Sequence, residues 1–169
     1  EKPNTFWASQ AGVFDDFSQS FIAKSTDAFE RALDAGQINE IRHMIQIGST
    51  LIMLTSGGTW SVGSTDNSIF SADTVTAGWQ GDISVSRRVA PLIASNDVMV
   101  VQDKGQSVSP LTYNLDQDGY IGNDVSIWAK HLFDGYEIID WCYQKNPSNI
   151  IWMVRNDGAL IGLTYLKEQ

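Results

Sequence analysis

The sequence predicts a mainly β fold of antiparallel hairpin repeats, in a partial or propeller-like arrangement with two short helices. Three observations carry that reading. Short apolar runs recur along the chain, each is followed by a glycine-bearing turn, and the turns are almost evenly spaced. The runs are Thr5-Phe-Trp-Ala, Leu51-Ile-Met-Leu-Thr, Val98-Met-Val-Val and Ile151-Trp-Met-Val, and the turns carry Gly12, Gly58, Gly105 and Gly158. The intervals between those glycines are 46, 47 and 53 residues, the length of a propeller blade. Six positions before each turn glycine stands an apolar residue: Phe6, Ile52, Met99 and Trp152. Gly57-Gly58 and Asn156-Asp157-Gly158 supply residues that tolerate the positive φ demanded by tight hairpin turns.

Four hairpin units are therefore expected near residues 5–17, 51–62, 98–111 and 150–165. Between them the signals are more local. Asp27 to Leu33 alternates Phe29, Arg31 and Leu33 and predicts a short strand. Asp34 with Gln37 resembles a capping box, and Ile38, Ile41 and Ile45 then fall on one helical face ending before Gly48, which predicts a first short helix. Gly63 to Gly81 is polar and reads as a loop. Asp82 to Val89 alternates and predicts a half-buried strand. The Asn123-Asp124 cap, Ile127, Trp128 and Leu132, with Gly135 as a stop, predict a second short helix. Tyr136 to Tyr143 returns to strand.

With 169 residues, 43% of them hydrophobic, the chain is long enough to bury a core without disulfides or structural metals, and reads as a single β-rich domain over 1–169. No apolar run approaches the ~18–20 residues of a membrane-spanning helix. A formal net charge of −9, with Arg87-Arg88 the sole adjacent basic pair, disfavours a nucleic-acid partner held through its phosphates. The opening Glu1-Lys2-Pro3-Asn4 has no features of a secretory signal, and the chain reads as part of a longer protein.

Candidate chemistry is sparse. Asn114, Asp116 and Asp118 followed by Gly119 and Ile121 match the first half of a calcium loop, but the closing carboxylate is missing, since position 12 is Val125. An Asp-rich turn leading to a helix cap explains the same residues. His43 and His131 have no nucleophile motif around them, although His131 and Asp134 share one helical turn. Cys142, among aromatic neighbours on a strand, reads as core filler. The Ser56-Gly57-Gly58 turn lacks the helix of a nucleophile elbow. Most Trp and Phe residues fall at core-like alternation. No catalytic residue, cofactor-binding residue or metal site is predicted, and the chain is expected not to be an enzyme.

The segments Asn114–Asn123, Trp128-Ala-Lys-His-Leu-Phe-Asp-Gly-Tyr136 and Asn149–Glu168, with Phe6–Gly12, Asp16-Phe17, Gln37–Arg42 and Leu54–Trp60 in the same order, resemble a family of bacteriophage and prophage tail structural proteins. The resemblance runs over essentially the whole chain. It implies a longer parent similar to the nozzle or tubular proteins of short tails, with a β-propeller-like body assembled as a homo-oligomeric ring. It further implies other tail subunits as partners, no catalysis, no specific nucleic-acid or membrane binding, synthesis in the bacterial host cytoplasm and a final place in the virion tail. The acidic charge is compatible with a conduit wall that repels DNA phosphate. Two other roles stay open: a host-surface or carbohydrate-binding module, for which Trp60, Trp79 and Tyr120 beside glycine turns are the residues to locate, and a cell-wall polysaccharide hydrolase, which requires two carboxylates in one cleft.

Overall fold

A computed structural model describes residues 2–34, 36, 39–65, 70–115 and 119–166. Their architecture is mainly β, as the sequence predicts: thirteen strands in four antiparallel sheets, with one 3-10 helix, Ile127–Leu132. Sheet 1 pairs β1 (Thr5–Ala8) with β2 (Phe29–Ala32). Sheet 2 is the meander β3 (Ile41–Ile47), β4 (Thr50–Thr55), β5 (Thr59–Ser64) and β6 (Val75–Gly81). Sheet 3 repeats it with β7 (Leu92–Ala94), β8 (Asp97–Val101), β9 (Val108–Asn114) and β10 (Gly119–Ile121). Sheet 4 has β11 (Ile138–Gln144), β12 (Ile150–Arg155) and β13 (Leu160–Thr164).

The sheets pack face to face in chain order. One apolar cluster joins Phe6 and Phe29 of sheet 1 to Met53, Trp60 and Val62 of sheet 2. A second joins Ile52 and Leu54 of sheet 2 to Val98, Val100 and Leu111 of sheet 3. The third joins Met99, Val101 and Val108 of sheet 3 to Ile138, Ile151 and Met153 of sheet 4. Successive side chains on a strand point to opposite faces, so the uninterrupted apolar runs of β4 and β8 arise because sheets 2 and 3 are covered on both sides. Ile52, Met53 and Leu54 are all fully buried, as are Met99, Val100 and Val101. The described strands form open sheets in a row, with no closed ring.

Polar ties cross each seam, the first by Arg31 of β2 donating to the Ala72 carbonyl at 3.1 Å. Arg42 of β3 donates to the Val85 carbonyl and to the Asp103 carboxylate, while its Nε lies 3.7 Å from Glu40. His43 Nε2 donates to the Ser86 carbonyl at 2.9 Å, so Nε2 carries the hydrogen. Sheet 4 is tied to sheet 3 by the Trp141 indole donating to the Ala90 carbonyl at 2.7 Å, the Ile138 amide donating to the Gly105 carbonyl at 2.8 Å, and the Tyr165 hydroxyl donating to buried Asp97 at 2.8 Å.

Several sequence expectations are corrected. The first predicted helix is strand β3 over Ile41–Ile47; Gln37 of its expected cap and Ile38 of its expected face lie outside the described residues. The isoleucines there also fit a period of two, and a β-branched side chain packs well on a pleated surface. A bulge between Ile41 and His43 turns Ile41 toward the first seam while Ile45 and Ile47 face the second. The supposed loop Gly63–Gly81 contains edge strand β6, legible only weakly because Thr76, Ala77, Gly78 and Trp79 are all exposed and give no alternation. Asp82–Val89, read as a strand, is a connector with a single bridge from Val85 to Gln102. The second helix exists as a 3-10 turn, kinked at Ala129, with Gly135 at φ +77° beyond it. It is anchored by buried Phe133, while Trp128 and Ile127 of the expected apolar face are exposed.

The turns also differ in their reasons for glycine. Gly12, Gly105 and Gly158 have φ of +83°, +70° and +86°. Gly58 does not need positive φ; a Cβ there would lie 2.7 Å from the Gly81 carbonyl oxygen, so space is the constraint. The unit near 5–17 is not a tight hairpin either, because β1 pairs with β2, beyond a long loop.

Burial on both faces sets the energetics. Ile52→Ala should lower unfolding free energy by about 2–5 kcal/mol, whereas Met44→Ala, on the exposed side of β3, should change it by less than about 0.5 kcal/mol. Chemical denaturation of both variants checks the contrast.

Candidate functional site

Among the described residues, the β1–β2 loop, residues 9–28, carries the densest run of exposed apolar side chains. Phe14 is 93% exposed, Phe21 106% and Ile22 78%, with Phe17 and Val13 also outward. Such residues would ordinarily draw a loop inward. Here hydrogen bonds made by polar side chains, buried Asp27 chief among them, hold the backbone. Asp27, itself buried, accepts hydrogen bonds from the Lys24 amide at 2.9 Å, the Ser20 amide at 3.1 Å and the Ser20 hydroxyl at 2.9 Å. The Ser18 amide donates to Asp16 at 2.8 Å, and the Gln10 and Gln19 side chains donate to the Ser18 and Ala28 carbonyls. Backbone bonds from Gln10 to Asp16 and from Ala11 to Thr26 close the loop at its base. Those hydrogen bonds stabilise the charged carboxylates: the Lys24 amide is the main cause that holds Asp27 below the usual carboxylate range, and the Ser18 contact does the same for Asp16. This is an ordered loop that presents aromatics to its surroundings.

A second feature is an open cleft of about 860 Å³ at the turn end of sheet 3. The β8–β9 connection contributes Asp103 and Lys104, the 3-10 helix Lys130 and His131, and the flanking segments Asp124 and Asp134, over a floor that includes Phe133. Charges of both signs line it. Asp103 is taken up by Arg42, and Asp124 accepts from the Ser126 amide at 2.8 Å and from the Ser126 hydroxyl. His131 and Asp134 both line the cleft, but Asp134 lies beyond the 3-10 helix, and among the described residues no hydrogen bond joins the two.

The other sequence candidates are scattered. Asn114 ends β9 and pairs with Gly119 of β10; Asp116 and Asp118 lie outside the described residues. Among the described residues no group of three or more His, Cys, Asp or Glu side chains is placed to hold a metal, and no helix is long and apolar enough to cross a membrane. Cys142, expected in the core, is exposed on the outer face of sheet 4. The aromatics do not all serve the core: Trp7, Trp79 and Trp128 are exposed along with the loop phenylalanines. Trp60 is buried opposite its cross-strand partner Trp79 and Tyr120 is half-buried, so of the three residues expected on a sugar-binding rim Trp79 is the exposed one. Sequence reasoning missed the loop because Val13, Phe14, Phe17 and Phe21 have apolar spacing without a strand or helix period. The signal available was Asp16, Ser18, Ser20 and Asp27 among them, residues that cap turns and hold backbone.

No family model and no curated protein matches this chain. The fold and its surfaces therefore define the class: a row of stacked antiparallel sheets with an ordered aromatic loop at one end.

Two pH effects follow. Asp27 is depressed in the folded state, so its contribution is present above the unfolded carboxylate pKa and is lost as pH falls through the lower folded value. Protease cleavage within 9–28 should rise several-fold on acidification through about pH 4 toward 2, and Asp27→Asn should show that sensitivity already at neutral pH. Tyr165 runs the other way: burial, then its bond to Asp97, push it up to about 12. Its contribution is complete below the unfolded tyrosine value of about 10 and declines as pH rises toward the folded one. Tyr165→Phe should flatten that alkaline decline in denaturation experiments.

Proposed function

We propose that the chain is a structural component of a phage or prophage tail, an assembly module without catalysis that docks to other tail subunits, and whose full-length protein forms a homo-oligomeric ring. The observation that carries this reading is the loop at 9–28, where a buried carboxylate and several amide bonds hold the backbone while Phe14, Phe17, Phe21 and Ile22 face outward. Ordering a loop costs conformational entropy, and exposing four large apolar side chains forfeits the burial that would offset it. A partner surface that covers them recovers that burial. The resemblance to tail structural proteins supplies the setting, the virion tail, with synthesis in the host cytoplasm.

The test is composition. Particles purified from the phage or prophage that encodes the chain should contain it in the tail fraction at a constant number per particle, by quantitative peptide mass spectrometry. The triple change Phe14→Ser, Phe17→Ser and Phe21→Ser should leave the fold intact by circular dichroism and abolish incorporation. Absence of the chain from purified tails overturns the reading.

A further inference from the structure

The three internal seams obey one rule. Counted from the turn glycine of each unit, the residues six and four positions earlier face the following sheet, and the residue five positions earlier faces the preceding one. Phe6 and Ala8, Ile52 and Leu54, Met99 and Val101 all point forward. Met53, Val100 and Met153 all point backward, each at most 1% exposed. Every seam is thus a forward face packed on a backward face.

Applied to the ends of the row, the rule selects two faces that no other sheet among the described residues covers. The forward positions of the fourth unit are Trp152 and Val154, both only half-buried. Cross-strand pairing sets Cys142 and Gly162 beside Trp152, and Leu160, 63% exposed, beside Val154. The Trp152 indole donates to Gln144 Oε1 at 2.8 Å and its ring lies against Gly162, where a Cβ would come within 3.1 Å of it. The lack of a side chain at 162 is what lets the ring lie flat, and Trp152, Val154 and Leu160 form an apolar strip on a face that also carries Gln144 beside Ile150 and exposed Asp140 beside Val154. At the other end the backward position of the first unit is Trp7, 55% exposed, its indole donating to Glu30 at 3.1 Å. Both orphan positions hold tryptophan, each with its ring nitrogen already satisfied within its own sheet, so what remains to be covered is apolar ring surface.

We propose that the forward face of sheet 4, built on Trp152, Val154 and Leu160, receives the backward face of sheet 1, built on Trp7, from a second copy of this chain. The contact is head to tail and continues the seam geometry that already joins the four sheets. Because the two faces differ, the interface is heterologous, and repetition gives a closed ring or an open row according to the angle between copies. This deepens the ring assembly proposed above by naming its surfaces, but it concerns the isolated chain and does not require a tail.

Sedimentation velocity of the purified chain over a wide concentration range, up to the solubility limit, tests it. Wild type should associate reversibly. Leu160→Lys, at an exposed position, and Trp152→Thr should each weaken association about tenfold or more, and Trp7→Lys should do the same, with circular dichroism unchanged. Mixing is decisive: Leu160→Lys keeps its backward face and Trp7→Lys its forward face, so an equimolar mixture should recover a dimer and no larger species. A wild type that stays monomeric, or associates but is insensitive to all three changes, overturns the proposal. So does loss of association in the sheet 4 variants alone, which would mean like faces meeting. A chain that associates as described but is absent from virions would leave this contact standing and remove the tail reading.

Discussion

Two-sided burial of the β-sheet is the constraint on which the rest of the molecule depends. A strand that alternates apolar and polar residues can rest one face on a core and the other in water. Strands β4 and β8 do not alternate; consecutive residues in them are fully buried, so each sheet must have a neighbour on either side. One sheet cannot satisfy that requirement, and neither can a pair. A row is the arrangement that does, and the order along the row follows the chain because short connections favour neighbours in sequence as neighbours in space.

Much of this was legible in the sequence. The glycine spacing and the apolar residue six positions before each glycine located three of the four hairpins, and the same count turns out to specify which way each side chain faces. Where reading failed, a local signal was outweighed by tertiary packing. Ile41 and Ile45 satisfy a helical period, but the chain around them is hydrogen-bonded to β4 along its length, and that pairing decided the matter. Strand β6 was hidden because an exposed edge strand does not require apolar residues; it is defined by its partner β5 and not by its own pattern. The loop of 9–28 escaped notice for a related reason: its order comes from one carboxylate reaching three groups across seven residues, a geometry that composition does not reveal.

The functional surfaces were the least legible part. Aromatic residues were assigned to the core by alternation, and Phe6, Phe29, Trp60 and Phe133 do lie there. Trp141, Tyr143 and Tyr165 pack against it part-buried, but Trp7, Phe14, Phe17, Phe21, Trp79 and Trp128 stand outside, and a list of hydrophobic residues cannot distinguish a phenylalanine that fills a seam from one that stands in water. That distinction needs the polar residues around it. At Phe14 and Phe21 the neighbouring Asp, Ser and Gln side chains fold back on the backbone and leave the rings outside.

The seams differ in kind from the sheets they join. Within a sheet, strands are held by ladders of backbone hydrogen bonds; between sheets, the links are apolar contact and a few isolated polar ties such as Arg42 to Asp103, Tyr165 to Asp97 and the Ile138 amide to Gly105. A body made this way is mechanically anisotropic. Tension along the row loads the dispersive contacts of the seams, whereas tension within a sheet loads the hydrogen-bonded ladders. The polar ties resist sliding of one sheet over the next, a motion that apolar contact alone opposes only weakly, so they act as the shear pins of the stack.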